Sequence, residues 1–171
     1  MKTIRKVLIL IILAGSSFLA AAQDFPMSVS LRGGYTNAVG FQIFTGEMKA
    51  TEGLLSLRDQ GIQLNVIRER YIPVFTGKSD HFFLCFGYGG HLGYEWRRDY
   101  HPSDLLPSHH FRSGPVIGFN GMAGLEYAFY KVPLSLGVQY LPYASFSTTR
   151  IFRMNLWDFG LVLRYRFFIK S

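Results

Sequence analysis

The stretch from Asn155 to Lys170 reads N-L-W-D-F-G-L-V-L-R-Y-R-F-F-I-K, and its apolar residues recur at every second position. From Trp157 onward one set is Trp157, Phe159, Leu161, Leu163, Tyr165, Phe167 and Ile169. The interleaved set is Asp158, Gly160, Val162, Arg164, Arg166, Phe168 and Lys170. A period of two sends side chains to opposite faces of a β-strand. One face is wholly apolar with rings at both ends, and the other carries three cations and a glycine. That length and layout suit a strand that crosses a bilayer.

Seven earlier runs repeat the pattern, which predicts eight strands in all. Met27–Tyr35 sets Val29, Leu31 and Tyr35 against Ser28, Ser30 and Arg32, and Ala38–Thr45 sets Val39, Phe41 and Ile43 against Gly40 and Gln42. Ala50–Leu57 reads Gly53, Leu55, Leu57 against Glu52, Leu54, Ser56, and alone it is compatible with a short helix. Asp59-Gln60-Gly61 after it supplies hairpin chemistry and favours strand. Gly61–Ile72 alternates clearly until Arg68-Glu69-Arg70, where the phase is lost. His81–Trp96, Gly114–Tyr130 and Val132–Phe146 complete the set. Polar stretches at 97–113 and 147–154 are predicted irregular loops. With the N-terminus in the periplasm, both fall outside, while the turns near 46–49, 73–80 and 130–132 fall inside. Short inner turns and longer outer loops are the asymmetry of bacterial barrels.

The sorted faces decide the class. Were the rings inward, eight strands would have to pack them into a barrel barely wide enough for side chains. Facing lipid, they need no partner, and the many glycines leave room inside for polar groups. The reading is an all-β, eight-stranded antiparallel up-and-down transmembrane β-barrel. Its lumen network is expected to hold Arg32, Glu52, Arg58, His91, Glu95, Glu126, Arg164 and Arg166. Here Glu52, Glu95 and Glu126 are available to the arginines, because unpaired buried charge is costly. The lumen is thus expected to be a filled, salt-bridged plug rather than a pore. Tyr35, Tyr94, Trp96, Tyr140, Trp157 and Tyr165 are the expected membrane-interface aromatics. A soluble secreted barrel of lipocalin type is the rival with the faces exchanged, although an early Gly-x-Trp signature is missing.

Residues 1–22 are set apart as a signal peptide. Lys2, Arg5 and Lys6 precede an apolar run from Val7 to Leu13, and Ala20-Ala21-Ala22 fits cleavage before Gln23. Residues 23–171 are then the barrel domain. The formal net charge of the whole chain is +7; without the three leader cations, 15 basic residues face 11 acids, which leaves +4. A scattered excess of that size in an exported chain argues against nucleic-acid binding. Cys85 is the single cysteine, so an internal disulfide and a thiolate metal cluster are both excluded.

Several segments together resemble the small outer-membrane β-barrel proteins of OmpA/OmpX type, in particular stand-alone barrels without a periplasmic domain. They are S-L-R-G-G-Y (30–35), A-T-E-G-L-L-S-L-R (50–58), G-I-Q-L (61–64), G-L-E-Y-A-F (124–129), V-P-L-S-L (132–136) and L-R-Y-R-F (163–167). The resemblance covers essentially the whole chain after residue 22. It implies a monomer in the outer membrane of a Gram-negative bacterium, delivered by the barrel assembly machinery. Its surroundings would be outer-membrane lipids and lipopolysaccharide. It further implies an envelope-structural or surface-contact role without cofactor. In one respect the chain departs from the pattern: Phe167-Phe168 is followed by Ile169-Lys170-Ser171 rather than by a terminal aromatic.

Candidate chemistry is sparse. Asp99, His101, Asp104, His109, His110 and Ser113 crowd one loop, and Ser113, His110 and Glu126 could imitate the trio of a lipid A-directed hydrolase. A nucleophile and its base must lie within hydrogen-bond reach, which spacing alone does not supply. A solvated polar loop is the plainer reading, and the same holds for metal binding by those histidines. A small-solute channel is the third functional alternative. His91 reads as a hydrogen-bonded structural histidine, Cys85 as an inert buried thiol, and Gly87-Tyr88-Gly89-Gly90 as lumen space in mid-strand rather than a phosphate loop.

Overall fold

The computed structural model describes residues 27–46, 48–75, 81–100, 109–129, 132–148 and 151–167, apart from the side chains of 97–100 and 109–112. The expected leader, 1–22, lies outside them. Ten strand segments form one antiparallel sheet: β1 (Met27–Gly34), β2 (Asn37–Gly46), β3 (Lys49–Arg58), β4 (Gly61–Pro73), β5 (Phe82–Tyr100), β6 (His109–Ala128), β7 (Leu134–Tyr140), β8 (Tyr143–Ser147), β9 (Arg153–Asn155) and β10 (Phe159–Phe167). β7 and β8 both pair with β6 and make one interrupted stave, and β9 and β10 make another. β1 pairs with β10 as well as with β2, and β5 pairs with β6. The sheet therefore closes on itself as an eight-stave barrel. Following partners from Arg166 through Ser28, Gln42, Glu52, Ile67, Gly89, Asn120 and Tyr143 returns to the last stave at Asn155. That stagger requires strongly tilted strands.

Both ends of the described chain lie at the end where β2–β3, β4–β5 and β6–β7 connect, here called the terminal end. The opposite, loop end carries the β1–β2, β3–β4, β5–β6 and β8–β9 connections.

Burial alternates along the staves in the reverse of the soluble arrangement. β4 alternates without a break from Gly61 to Ile72, with Gln63, Asn65, Ile67, Glu69 and Tyr71 inside and Ile62, Leu64, Val66, Arg68, Arg70 and Ile72 outside. Leu31, Leu57, Ile117, Phe119 and Leu161 are each about 60% exposed or more, whereas Arg164, Glu52 and Glu69 are each 1% exposed. An outer wall of apolar side chains around a charged interior is the layout of a barrel whose outer solvent is hydrocarbon. The helical alternative for 50–57 is gone: β3 is strand throughout.

Three expected boundaries are corrected. The 97–113 loop is mostly ladder, since β5 and β6 run on as a hairpin from Trp96↔Ser113 to Tyr100↔His109. Backbone pairing needs no apolar alternation, so polar sequence concealed it. The predicted seventh strand is broken at Leu141-Pro142, because proline has no N–H to give to the ladder. The neighbours adapt: Leu141 N–H donates to Asp158 O at 2.8 Å, and the Pro142 carbonyl accepts from Gly121 N–H at 2.9 Å. The final strand is broken too, with two residues between Tyr140 and Tyr143 facing three between Asn155 and Phe159. This bulge leaves Leu156 and Trp157 both exposed and turns Asp158 inward.

Candidate functional site

The lumen is the place where this fold concentrates chemistry, and it is stacked in layers. At the terminal end Phe44, Tyr71 and Phe83 form an aromatic floor, with ring centroids 5.4 Å apart for Phe44–Tyr71 and 6.4 Å for Tyr71–Phe83. Cys85 is buried beside it, in one apolar cluster with Tyr71, Ile67 and Met122. Above the floor, Gln42 accepts from Ser28 Oγ at 2.9 Å and donates to Glu69 Oε2 and to the Tyr71 hydroxyl, both at 2.7 Å.

Arg164 is the centre of the next layer. Its Nη1 and Nη2 reach the two Glu52 oxygens at 3.0 and 3.1 Å, its Nε lies 3.2 Å from Glu126 Oε2, and Nη2 is 3.8 Å from Glu69 Oε1. Ser30 donates to Glu52 at 2.8 Å and Ser135 to Glu126 at 2.5 Å. Arg166 closes on Glu126 at 2.8 Å. Two guanidinium groups thus serve three carboxylates drawn from β3, β4 and β6. At low effective dielectric such a cluster ties distant staves together, and removing one member leaves the others uncompensated.

Nearer the loop end the groups separate into three sets. Asn65 donates to Ser56 Oγ at 2.8 Å, Asn120 donates to Asn65 Oδ1 at 2.7 Å, and Asn120 Oδ1 meets His91 Nδ1 at 2.8 Å. Arg32 bonds Asp158 at 2.8 Å and the Thr36 carbonyl at 2.5 Å, and Thr36 Oγ1 donates to the other Asp158 oxygen at 2.5 Å. Arg58 donates to Gln63 from Nε at 2.9 Å and lies 3.6 Å over the Tyr143 ring. The Tyr143 hydroxyl donates to Asp59 at 2.5 Å, and Arg153 pairs with the same carboxylate.

All eight residues expected in the lumen face it, but their partners differ from those anticipated. Arg32 goes to Asp158 and not to a glutamate, and Arg58 takes an amide and a ring. Glu95 accepts from Ser147 Oγ. Glu69, Asp158, Asp59, Arg153 and Gln63 were not foreseen as partners. Glu69 was concealed because Arg68 and Arg70, charged residues on the outward face, left no apolar contrast to mark the phase at Arg68-Glu69-Arg70. Asp158 stood in the polar set of its own strand, so its direction was legible although its partner was not.

The six expected interface aromatics are all outward. Tyr35, Tyr94, Trp96 and Trp157 are exposed at the loop end, with the Tyr94 hydroxyl donating to Ser113 at 3.0 Å. Tyr140 packs on Phe159 at 4.8 Å, and Tyr165 packs on Phe167 at 4.9 Å near the terminal end. The hydrolase trio does not assemble. Ser113 is exposed at the loop end of β6 while Glu126 is buried near its other end, about 40 Å away at ~3.3 Å per residue. His101 and Asp104, and the side chains of Asp99, His109 and His110, lie outside the described residues. Among the described residues no group of His, Cys, Asp and Glu could hold a metal ion. Gly89 is in mid-strand, where a Cβ would come within 2.0 Å of the Val66 carbonyl oxygen, so it serves close strand approach.

The N-terminal β-barrel domain of OprF from Pseudomonas aeruginosa is similar to this barrel, with a TM-score of 0.46 and 10% sequence identity over 84% of this chain and 97% of that domain. No protein-family model and no curated protein matches the chain.

Proposed function

We propose that this chain is an integral outer-membrane β-barrel with an envelope-structural or surface-contact role and an occluded lumen. The observation that carries it is the reversed burial. The outer wall exposes Leu31, Val39, Leu57, Leu92, Phe119 and Leu161, while Arg32, Glu52, Glu69 and Arg164 are shut inside. In water that arrangement would expose large apolar surface and bury charge at once, and both are unfavourable. In a bilayer each face meets its proper solvent, and closure satisfies the backbone. The Arg164 cluster, with the aromatic floor below it and the Arg58–Tyr143 pair above, supports a lumen that does not conduct solutes. With the loop end outward, the extended β5–β6 hairpin is the surface offered to partners, lipopolysaccharide surrounds that end, and the barrel assembly machinery inserts a monomer. No catalytic arrangement among the described residues favours an enzyme.

The test is gel mobility of the outer-membrane fraction, boiled against unboiled. A band confined to that fraction and running faster unboiled is expected, with no conductance steps in planar bilayers. A soluble periplasmic protein without a heat shift would overturn the membrane reading, and steady conductance would overturn the occluded lumen.

A further inference from the structure

Among the described residues, the exposed cations of the outer wall gather at one place. On β4 the outward series Ile62, Leu64, Val66 gives way to Arg68 and Arg70 towards the terminal end. Lys49 of β3 stands directly opposite Arg70, and on the other side Arg68 and Arg70 are opposite Tyr88 and Phe86 of β5. All three cations are exposed, and they line an outward groove of about 390 Å³ with Phe86 and Tyr88. Cross-strand neighbours of like charge repel one another. Among the described residues none of the three has an ion pair. Every carboxylate whose side chain is described points elsewhere: Glu52, Glu69, Glu95, Glu126 and Asp158 are buried in the lumen, and Asp59 is held by Tyr143 and Arg153. Glu69 shares the groove wall, but its carboxylate meets Gln42 and Tyr71 inside.

We infer that this groove seats the phosphate of an anionic glycerophospholipid from the leaflet at the terminal end, with Phe86 and Tyr88 against its acyl chain. The inference rests on the membrane reading above. Cations on a lipid-facing wall are tolerated near an interface, where phosphate replaces lost water, and three converging on one groove make a specific seat. Charge complementarity selects the anionic headgroup. The position at the terminal end selects phospholipid over the lipopolysaccharide that surrounds the loop end.

The mature chain purified from membranes in mild detergent is titrated with phosphatidylglycerol, phosphatidylcholine, lipid A and inorganic phosphate, and bound lipid is counted by native mass spectrometry. One phosphatidylglycerol is expected, bound roughly tenfold more tightly than phosphatidylcholine. The preference should vanish in the Arg68→Gln, Arg70→Gln double variant, and Lys49→Gln at the rim should weaken it with less risk to folding. Equal binding of the two phospholipids overturns the proposal. So does a preference that survives both variants, stronger binding of lipid A, or displacement by inorganic phosphate. Each sample is first scored by the heat-dependent gel shift. A wild-type chain without that shift sinks the membrane reading, whereas a folded barrel without lipid preference sinks this inference alone.

Discussion

At the scale of single residues, the interior is governed by how few cations serve its carboxylates. Arg164 contacts Glu52, Glu69 and Glu126 from three staves, and no other guanidinium reaches Glu52 among the described residues. Arg164→Met keeps most of the volume and removes the charge, so the carboxylates are left facing one another. We expect a loss of about 3–5 kcal/mol in the unfolding free energy, the usual cost of breaking a buried pair from one side. Urea titration of the chain refolded into vesicles checks it, and a loss under 1 kcal/mol would mean that water reaches the cluster freely. A lumen serine that orients a carboxylate is a smaller case: Ser135→Ala removes one hydrogen bond to Glu126 and should cost about 1 kcal/mol in the same titration.

Among the elements, the β3–β4 hairpin is the most constrained. Its two turn residues, Asp59 and Gln60, have φ of 56° and 60°, left-handed values that match a tight two-residue connection. Gly61 follows with ordinary φ, and its missing side chain instead makes room, since a Cβ there would lie 2.6 Å from the Tyr94 carbonyl oxygen. Gln60→Gly should therefore stabilise the barrel by about 0.5–1 kcal/mol, because relief of the left-handed strain exceeds the entropy that glycine loses. Asp59→Gly should act in the opposite direction. It relieves the same strain but takes the carboxylate from Tyr143 and Arg153, loosening β8 and β9 at the loop end. Parallel urea titrations check both signs. The broken staves follow the same logic of backbone accounting: Pro142 interrupts pairing, and the bulge at 156–158 restores it with Asp158 aimed at Arg32.

For the whole molecule, the consequence is an inside-out protein whose outer face can be tested by one substitution. Leu161 lies on the apolar wall and is 61% exposed. Leu161→Arg in a soluble protein would be almost neutral at such a site. In a bilayer-spanning barrel it should cost about 2–4 kcal/mol, falling for arginines nearer the rims. Measurement in vesicles reads the difference directly, and a neutral result would favour an aqueous outer surface. Much of this architecture was legible in the chain. Alternation set by the two-residue period placed Leu31, Phe119 and Leu161 on one face and Arg32, Glu52 and Arg164 on the other, because that geometry is local to each strand. Strand number and class followed, since so many rings could not share a narrow interior. What local pattern cannot carry is which stave lies across the lumen from which. That depends on the stagger of the closed sheet, so Arg32 meets Asp158 and Arg164 gathers Glu52, Glu69 and Glu126 only once the barrel has closed. On the outer wall the register of the β3–β4 hairpin set Lys49 opposite Arg70, and the β5–β6 hairpin drew the polar residues 97–100 and 109–113 into ladder, through backbone pairing that leaves no apolar alternation in the sequence.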